Sequence, residues 1–348
     1  MIESASCEIK SLVVHQMGAK AMGGELRLSR APIGLSAEDE IHDILRLYFF
    51  RPFKTEVYYN FASSDGEVCE LSRRLFADPT KAYDTSIELA RRLFEASNHP
   101  SIRGGDFYMA YISNVVVDGV TTEAIGIFKS ESKETFLKVM LRGEQRIELD
   151  HEEGINIKKL DKGCIIFNME QEEGYRICAV DNINKGQEAH FWMDDFLGIK
   201  PREDNYFYTD NYLKMCKDFV SDVFNEDNNV RRDEQIGMIN RSIDYFQKNE
   251  KFNAADFEQE VIGEPKVIDA FNEYGKMYAE KNNLADRFPT EFEVSSDAVK
   301  SEKKNFKSIL KLDKNFHVYV HGSRYLMEKG YDQERDMNYY KLFFRTEQ

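Results

Sequence analysis

The chain has 348 residues, with 47 Lys and Arg against 62 Asp and Glu, a formal net charge of −15. Hydrophobic residues make up 42% and aromatics 13%, enough for packed cores, which excludes global disorder and a uniformly basic, histone-like protein. Nucleic acid and anionic membranes repel so acidic a chain at long range, so any contact with a polyanion needs a local basic patch.

In chain order, Ile9 to Gln16 and Glu25 to Leu28 read as strands on either side of the turn Met22-Gly23-Gly24. Ser36 reads as the N-cap of a helix whose apolar face is Ile41, Ile44, Leu45 and Tyr48. Thr85-Ser86-Ile87-Glu88 has the form of a capping box, with Ile87, Ala90, Leu93 and Phe94 continuing the stripe. Tyr108 to Val117 and Val120 to Phe128 are joined by Asp118-Gly119, a residue pair that suits a two-residue hairpin turn with positive φ at both positions. Strands are expected at Thr135–Leu141, Gln145–Leu149, Gly163–Asn168 and Tyr175–Val180, and the short loops between them imply antiparallel pairing. The polar segment Lys200-Pro201-Arg202-Glu203-Asp204-Asn205 reads as a domain boundary.

Three helices with apolar faces follow: Tyr212, Met215, Cys216, Phe219, Val220 and Val223; then Ile236, Ile239, Ile243 and Phe246; then Val267, Phe271, Tyr274 and Tyr278. After Phe288-Pro289, three short strands are expected at Phe306–Leu312, Phe316–His321 and Tyr339–Phe344. The expected fold is α+β. A mixed, largely antiparallel sheet domain with helices spans residues 1–200. A helical domain over 201–348 ends in a small antiparallel sheet, a three-stranded meander.

No stretch approaches the roughly 18 apolar residues of a membrane helix. The acidic segment Met1 to Glu8 lacks the basic and apolar regions of a signal peptide, so neither membrane contact nor export is expected. The five cysteines (7, 69, 164, 178 and 216) include no CxxC pair and fit a reducing cytoplasm. Cys164 and Cys178 flank the turn Gln171–Gly174 and could oppose each other across a hairpin, though two small buried residues is the preferred reading.

Catalytic motifs are scarce. Gly18 to Gly23 has P-loop spacing, but Gly24 and Glu25 stand where Lys and Ser or Thr are required. No GxGxxG follows a strand, and there is no GxSxG or HExxH. His317 and His321 are i, i+4, but Gly322 follows, and packing or surface roles suit them better than metal binding. Asp118 with Glu131-Ser132-Lys133 imitates the acid and acid-x-Lys spacing of a metal-dependent nuclease, although the hairpin turn and a polar loop also explain these residues. Asp194-Asp195 fits an amphipathic helix with aromatics inward and acids outward, closed by Gly198. No catalytic centre, cofactor or metal is expected.

Charge is uneven along the chain. Residues 1–300 hold 37 basic and 55 acidic residues, a balance of −18, while residues 301–348 hold 10 and 7, a balance of +3. Lys300, Lys303, Lys304, Lys307, Lys311 and Lys314 cluster against only Glu302 and Asp313. Such a cluster is either a solvated face or a surface whose lysines displace counterions from nucleic acid. Lys307 and Lys311 are spaced to share a strand face. Phe306, Phe316, Tyr319, Tyr325, Tyr339 and Phe343 are interleaved nearby, as a base-stacking platform or as a buried sheet face. Arg73-Arg74 and Arg91-Arg92 are a second candidate surface, or simply exposed helix positions.

Several segments in order resemble the bacterial nucleoid-associated protein family of thirty-seven kilodaltons, the NdpA-like family. They are the strand ending His15-Gln16, Gly104-Gly105-Asp106-Phe107-Tyr108-Met109-Ala110-Tyr111, Arg146–Asp150 with His151 and Ile155-Asn156-Ile157, and the stretch from Phe288-Pro289 to Ile309–His321. The most specific is Phe191-Trp192-Met193-Asp194-Asp195-Phe196-Leu197-Gly198. The resemblance implies a cytoplasmic protein that associates with the bacterial nucleoid and binds DNA, without a known catalytic centre; phosphate contacts carry little sequence information, so weak sequence preference is expected. It supplies no residue-level DNA site, so the six lysines rest on charge alone. The acidic balance leaves open an adaptor that reaches the nucleoid through protein partners, and a homo-oligomer is compatible with either reading.

Overall fold

The computed structural model describes residues 2–53, 57–142, 146–183, 190–228, 230–282, 284, 289–304, 306, 309–312, 314–319 and 327–346. The chain divides into two compact units, Met1–Arg202 and Glu203–Gln348.

The first unit is built on strands β1 (Ile2–Glu3), β2 (Glu8–Met17), β3 (Leu26–Arg27), β4 (Tyr59–Phe61), β5 (Gly105–Val117), β6 (Val120–Ser130), β7 (Glu134–Arg142), β8 (Arg146–Gly154), β9 (Lys162–Phe167), β10 (Arg176–Asp181) and β11 (Ile199–Pro201). Nine of them form one sheet in the order β11-β4-β10-β9-β6-β5-β2-β3, with β1 on the far end of β5. Every pairing in it is antiparallel, so the expected mixed sheet is antiparallel throughout. Strand β11, Ile199–Pro201, pairs with β4, so the proline segment closes this sheet's edge. An edge strand is where the missing N–H of Pro201 costs nothing.

Helix α1 (Glu40–Phe50) packs Tyr48, Phe49 and Phe50 on one face of the sheet. Helices α2 (Glu67–Ala77) and α3 (Ala82–Ala96) pack Leu71, Leu75, Leu89 and Leu93 on the other. With helices on both faces, Phe107 to Ile112 and Cys164 to Phe167 are buried without interruption. Cys164 belongs to one core and Cys178 to the other, so the two thiols lie on opposite faces and cannot pair. Burial pushes Cys178 up to about 12, which keeps it an inert thiol.

Two helix starts differ from expectation. Helix α1 is preceded by Asp39, whose carboxylate accepts from the backbone N–H of Ser36 (2.7 Å), so Ser36 belongs to a preceding turn. Helix α3 begins at Ala82, three residues before the apparent capping box. The turn Pro79–Lys81, capped by Asp78, runs directly into it and buries Thr85 and Ser86.

The second unit holds α4 (Asn205–Asp222), α5 (Arg232–Lys248), α6 (Pro265–Lys281) and α7 (Ser296–Lys303). They enclose an aromatic core in which the ring of Tyr212 lies 4.3 Å from Phe252 and 5.4 Å from Phe257 between centroids. Strands β12 (Lys251–Asn253) and β13 (Glu291–Glu293) pair beside it. Among the described residues, two separate hairpins stand where a three-stranded meander is expected. Strand β14 (Ile309–Leu312) pairs with β15 (Phe316–Tyr319), and β16 (Met327–Asp332) with β17 (Met337–Leu342). Polar β16 offers no alternating apolar pattern; its partner is fixed by a turn in which Asp332 Oδ1 accepts from the N–H groups of Glu334 and Arg335. Among the described residues, no helix is long and apolar enough to cross a membrane.

Candidate nucleic-acid interface

Helix α7 carries the described part of the lysine cluster. Ser295 caps it by accepting from the N–H of Ala298 (3.3 Å). Ala298, Val299 and Glu302 are buried against the helical core. Helical periodicity then turns Lys300, Lys303 and Lys304 outward, and all three are exposed at the C-terminal turn. Cations there also complement the helix dipole, so the sequence has a local reason to place them as well as a functional one. Lys300 Nζ lies 2.9 Å from Asp297 Oδ1, which leaves Lys303 and Lys304 as the outer pair. Lys314 is exposed in the turn between β14 and β15. Lys311 sits on β14 opposite His317, and its side chain lies outside the described residues, as does all of Lys307. His321 and Tyr325 also lie outside.

The interleaved aromatics separate. Phe306 is buried in the helical core, whereas Phe316 and Phe343 are more than half exposed. Phe316 and Tyr339 line a cleft of about 1210 Å³ within the second unit. That cleft sets Glu226, Asp227 and Asp336 against Arg232 and Lys329, an acidic balance unsuited to phosphate.

Three of the four paired arginines are held by local partners. Arg73 is 2.7 Å from Glu70, and Arg74 is 2.8 Å from Glu88. Arg92 donates to the carbonyls of Phe196 (2.9 Å) and Asp195 (3.0 Å) and reaches Glu67 (2.6 Å). It thus closes the C-terminus of the π-helical turn Phe191–Leu197, where a cation and free carbonyls belong together. In that turn Phe191, Trp192, Phe196 and Leu197 point inward, and Gly198 ends it at φ 65°, as its sequence suggested.

The nuclease constellation does not assemble. Asp118 occupies the β5–β6 turn at φ 49° and pairs with Arg176 (2.6 Å). Glu131 lies beyond the other end of β6, an 11-residue strand of about 35 Å at the usual rise per residue. Glu131 is buried with Lys129 (2.9 Å) and Lys162 (3.4 Å), and Lys162 also reaches Asp181 (3.0 Å). Asp161 Oδ2 accepts from the N–H groups of Glu131 (2.6 Å) and Ser132 (2.7 Å). Burial presses the Lys129 ammonium below its ordinary range against the pull of Glu131. This closed network, invisible in sequence because its members come from three strands and a loop, ties together the ends of β6, β9 and β10. Among the described residues, no cluster of His, Cys, Asp and Glu could hold a metal ion.

The glycine-rich segment is structural as well. The N–H groups of Gly18, Gly23 and Gly24 donate to Glu25, Lys20 and Ala19, so none is turned out toward a phosphate. A Cβ on Gly24 would stand 2.5 Å from the backbone N of Ala19.

Residues 13–337 match the family described as nucleoid-associated protein YejK. The chain belongs to that family. No curated protein matches it. Membership covers both units and places the chain among nucleoid-associated proteins, the class to which its ordered motifs pointed.

Proposed function

We propose that this member of the YejK family binds DNA directly, with little sequence preference, through the lysine-bearing end of its second unit. The observation that carries the reading is the outward projection of Lys300, Lys303 and Lys304 from one turn of α7, in the segment where the balance turns positive. Lys307, Lys311 and Lys314 follow in the same basic stretch of the sequence. Lysine ammoniums are point charges that suit phosphate oxygens, and phosphate contacts position a protein without reading bases. The acidic balance of the rest of the sequence limits affinity. The protein acts in the cytoplasm on the nucleoid, without catalysis.

Fluorescence anisotropy on two unrelated duplexes tests the reading, with the intact chain and a Lys303→Glu/Lys304→Glu/Lys314→Glu variant. The expected result is comparable affinity for both duplexes and at least a tenfold loss in the variant. An intact chain that binds neither duplex would make the protein an adaptor, and an unchanged variant would move the DNA surface elsewhere.

A further inference from the structure

His15 of β2 is 1% exposed and lies on the face of the sheet that carries α3. Its ring stacks parallel to Phe107 of β5, at 6.1 Å between centroids. Both ring nitrogens are engaged. Nδ1 accepts from the backbone N–H of Ser29 (3.0 Å), just past β3. Nε2 lies 3.1 Å from Ser86 Oγ, and the Ser86 hydroxyl already donates to the carbonyl of Tyr83 (2.6 Å). The Ser86 oxygen is therefore the acceptor, and Nε2–H the donor. A nitrogen that accepts carries no proton, so this arrangement requires a neutral imidazole with its one proton on Nε2. The phenol of Tyr83 donates to the carbonyl of Ser29 (2.9 Å). Both backbone groups of Ser29 are thus held, one by His15 and one by α3.

We infer that His15 is an acid-sensitive latch, in which proton uptake at Nδ1 releases residues 28–30 from β2 and α3. Once protonated, Nδ1 faces the Ser29 N–H donor to donor, and one of the two must move. The ring is fixed between Phe107 and Ser86, whereas Ser29 follows β3, a two-residue strand at the sheet edge. The edge segment yields, and not the ring. His15 meets Phe107 from β5, Ser86 from α3 and Ser29 from the edge; Tyr83, which joins Ser86 to Ser29, is the other titratable group of the latch. Burial holds the imidazole below its ordinary pKa, against the contact with Ser86, and no ionised side chain among the described residues contributes. A base depressed in the folded state contributes stability above its unfolded value, about 6.5, and that stability is lost as pH falls towards the folded value. The latch is closed at neutral pH and opens in the acid range below it. None of this depends on the lysine site.

Hydrogen exchange on the full-length chain tests it, followed by mass spectrometry from about pH 7.5 to about pH 4.5 and scaled for the intrinsic rate at each pH. The peptide covering residues 28–30 is expected to exchange about tenfold faster at the acid end, where circular dichroism still shows a folded chain. His15→Gln keeps an acceptor and a donor on a side chain that does not titrate, and is expected to abolish the acid step. A second measurement needs no variant to fold: ¹⁵N chemical shifts of the wild-type His15 ring should show the proton on Nε2 at neutral pH and a titration midpoint below the ordinary histidine value. Exchange that stays unchanged until the whole chain unfolds would overturn the inference. So would an acid step that survives in folded His15→Gln, or a ring protonated on Nδ1 at neutral pH.

Discussion

Two groups of ionised side chains bear most on stability. Removing one partner from a buried ion network leaves another charge uncompensated in a low-dielectric interior, at a cost of about 3–5 kcal/mol. Glu131→Gln is therefore expected to lower the unfolding free energy by that order, measured by urea denaturation. Lys129→Met/Glu131→Leu, which removes both charges of one pair, is expected to recover part of the loss. Glu170 is the second case. It stands at φ 56° and accepts from Arg176 (3.1 Å), and it also pairs with Arg202. Burial alone would raise its pKa, but the two guanidiniums outweigh burial and hold the carboxylate below its usual range. A carboxyl depressed in the folded state contributes stability above its unfolded pKa, and that stability is lost as pH falls through the folded value. The melting temperature should therefore fall with acidification below about pH 4.5. That acid limb should be shallower in Glu170→Gln, and parallel limbs would contradict the assignment.

Among the elements, the glycine loop gives the sharpest expectation. Gly24→Ala forces a Cβ into backbone 2.5 Å away, with no flexible side chain to yield. A loss of about 2–4 kcal/mol is expected on thermal or chemical unfolding. Substitutions on α7 should behave oppositely. Lys303 and Lys304 are exposed, so replacement by Glu forfeits only a favourable dipole interaction of about 0.3–1 kcal/mol each, and circular dichroism should show an intact fold. Elements were legible in sequence where periodicity or turn chemistry acted locally. The Asp118-Gly119 hairpin and the three helices facing Tyr212, Ile236 and Phe271 stand where their patterns put them. Helix α2 and strand β16 were not legible. The stripe of α2 is defined by the sheet beneath it, and β16 is polar and paired by its turn.

At the scale of the whole molecule, the α+β class and family membership were readable because they depend on the order of many weak motifs. The candidate site was readable only as a charge balance. Nothing in composition distinguishes Lys303, exposed on a helix, from Lys162, buried on a strand; tertiary packing decides that. The same holds for the aliphatic residues of β7 and β8, whose alternation reads as an ordinary half-buried strand although the face they form is exposed. The proposed lysine contact would reconcile nucleoid association with an acidic composition. It also gives the sharpest test: the salt dependence of DNA binding by the intact chain and by the Lys303→Glu/Lys304→Glu/Lys314→Glu variant. The plot of log affinity against log salt for the intact chain should fall steeply. In the variant it should flatten by about 0.9 for each phosphate that is no longer neutralised. Equal slopes for the two proteins, or binding indifferent to salt, would contradict the account.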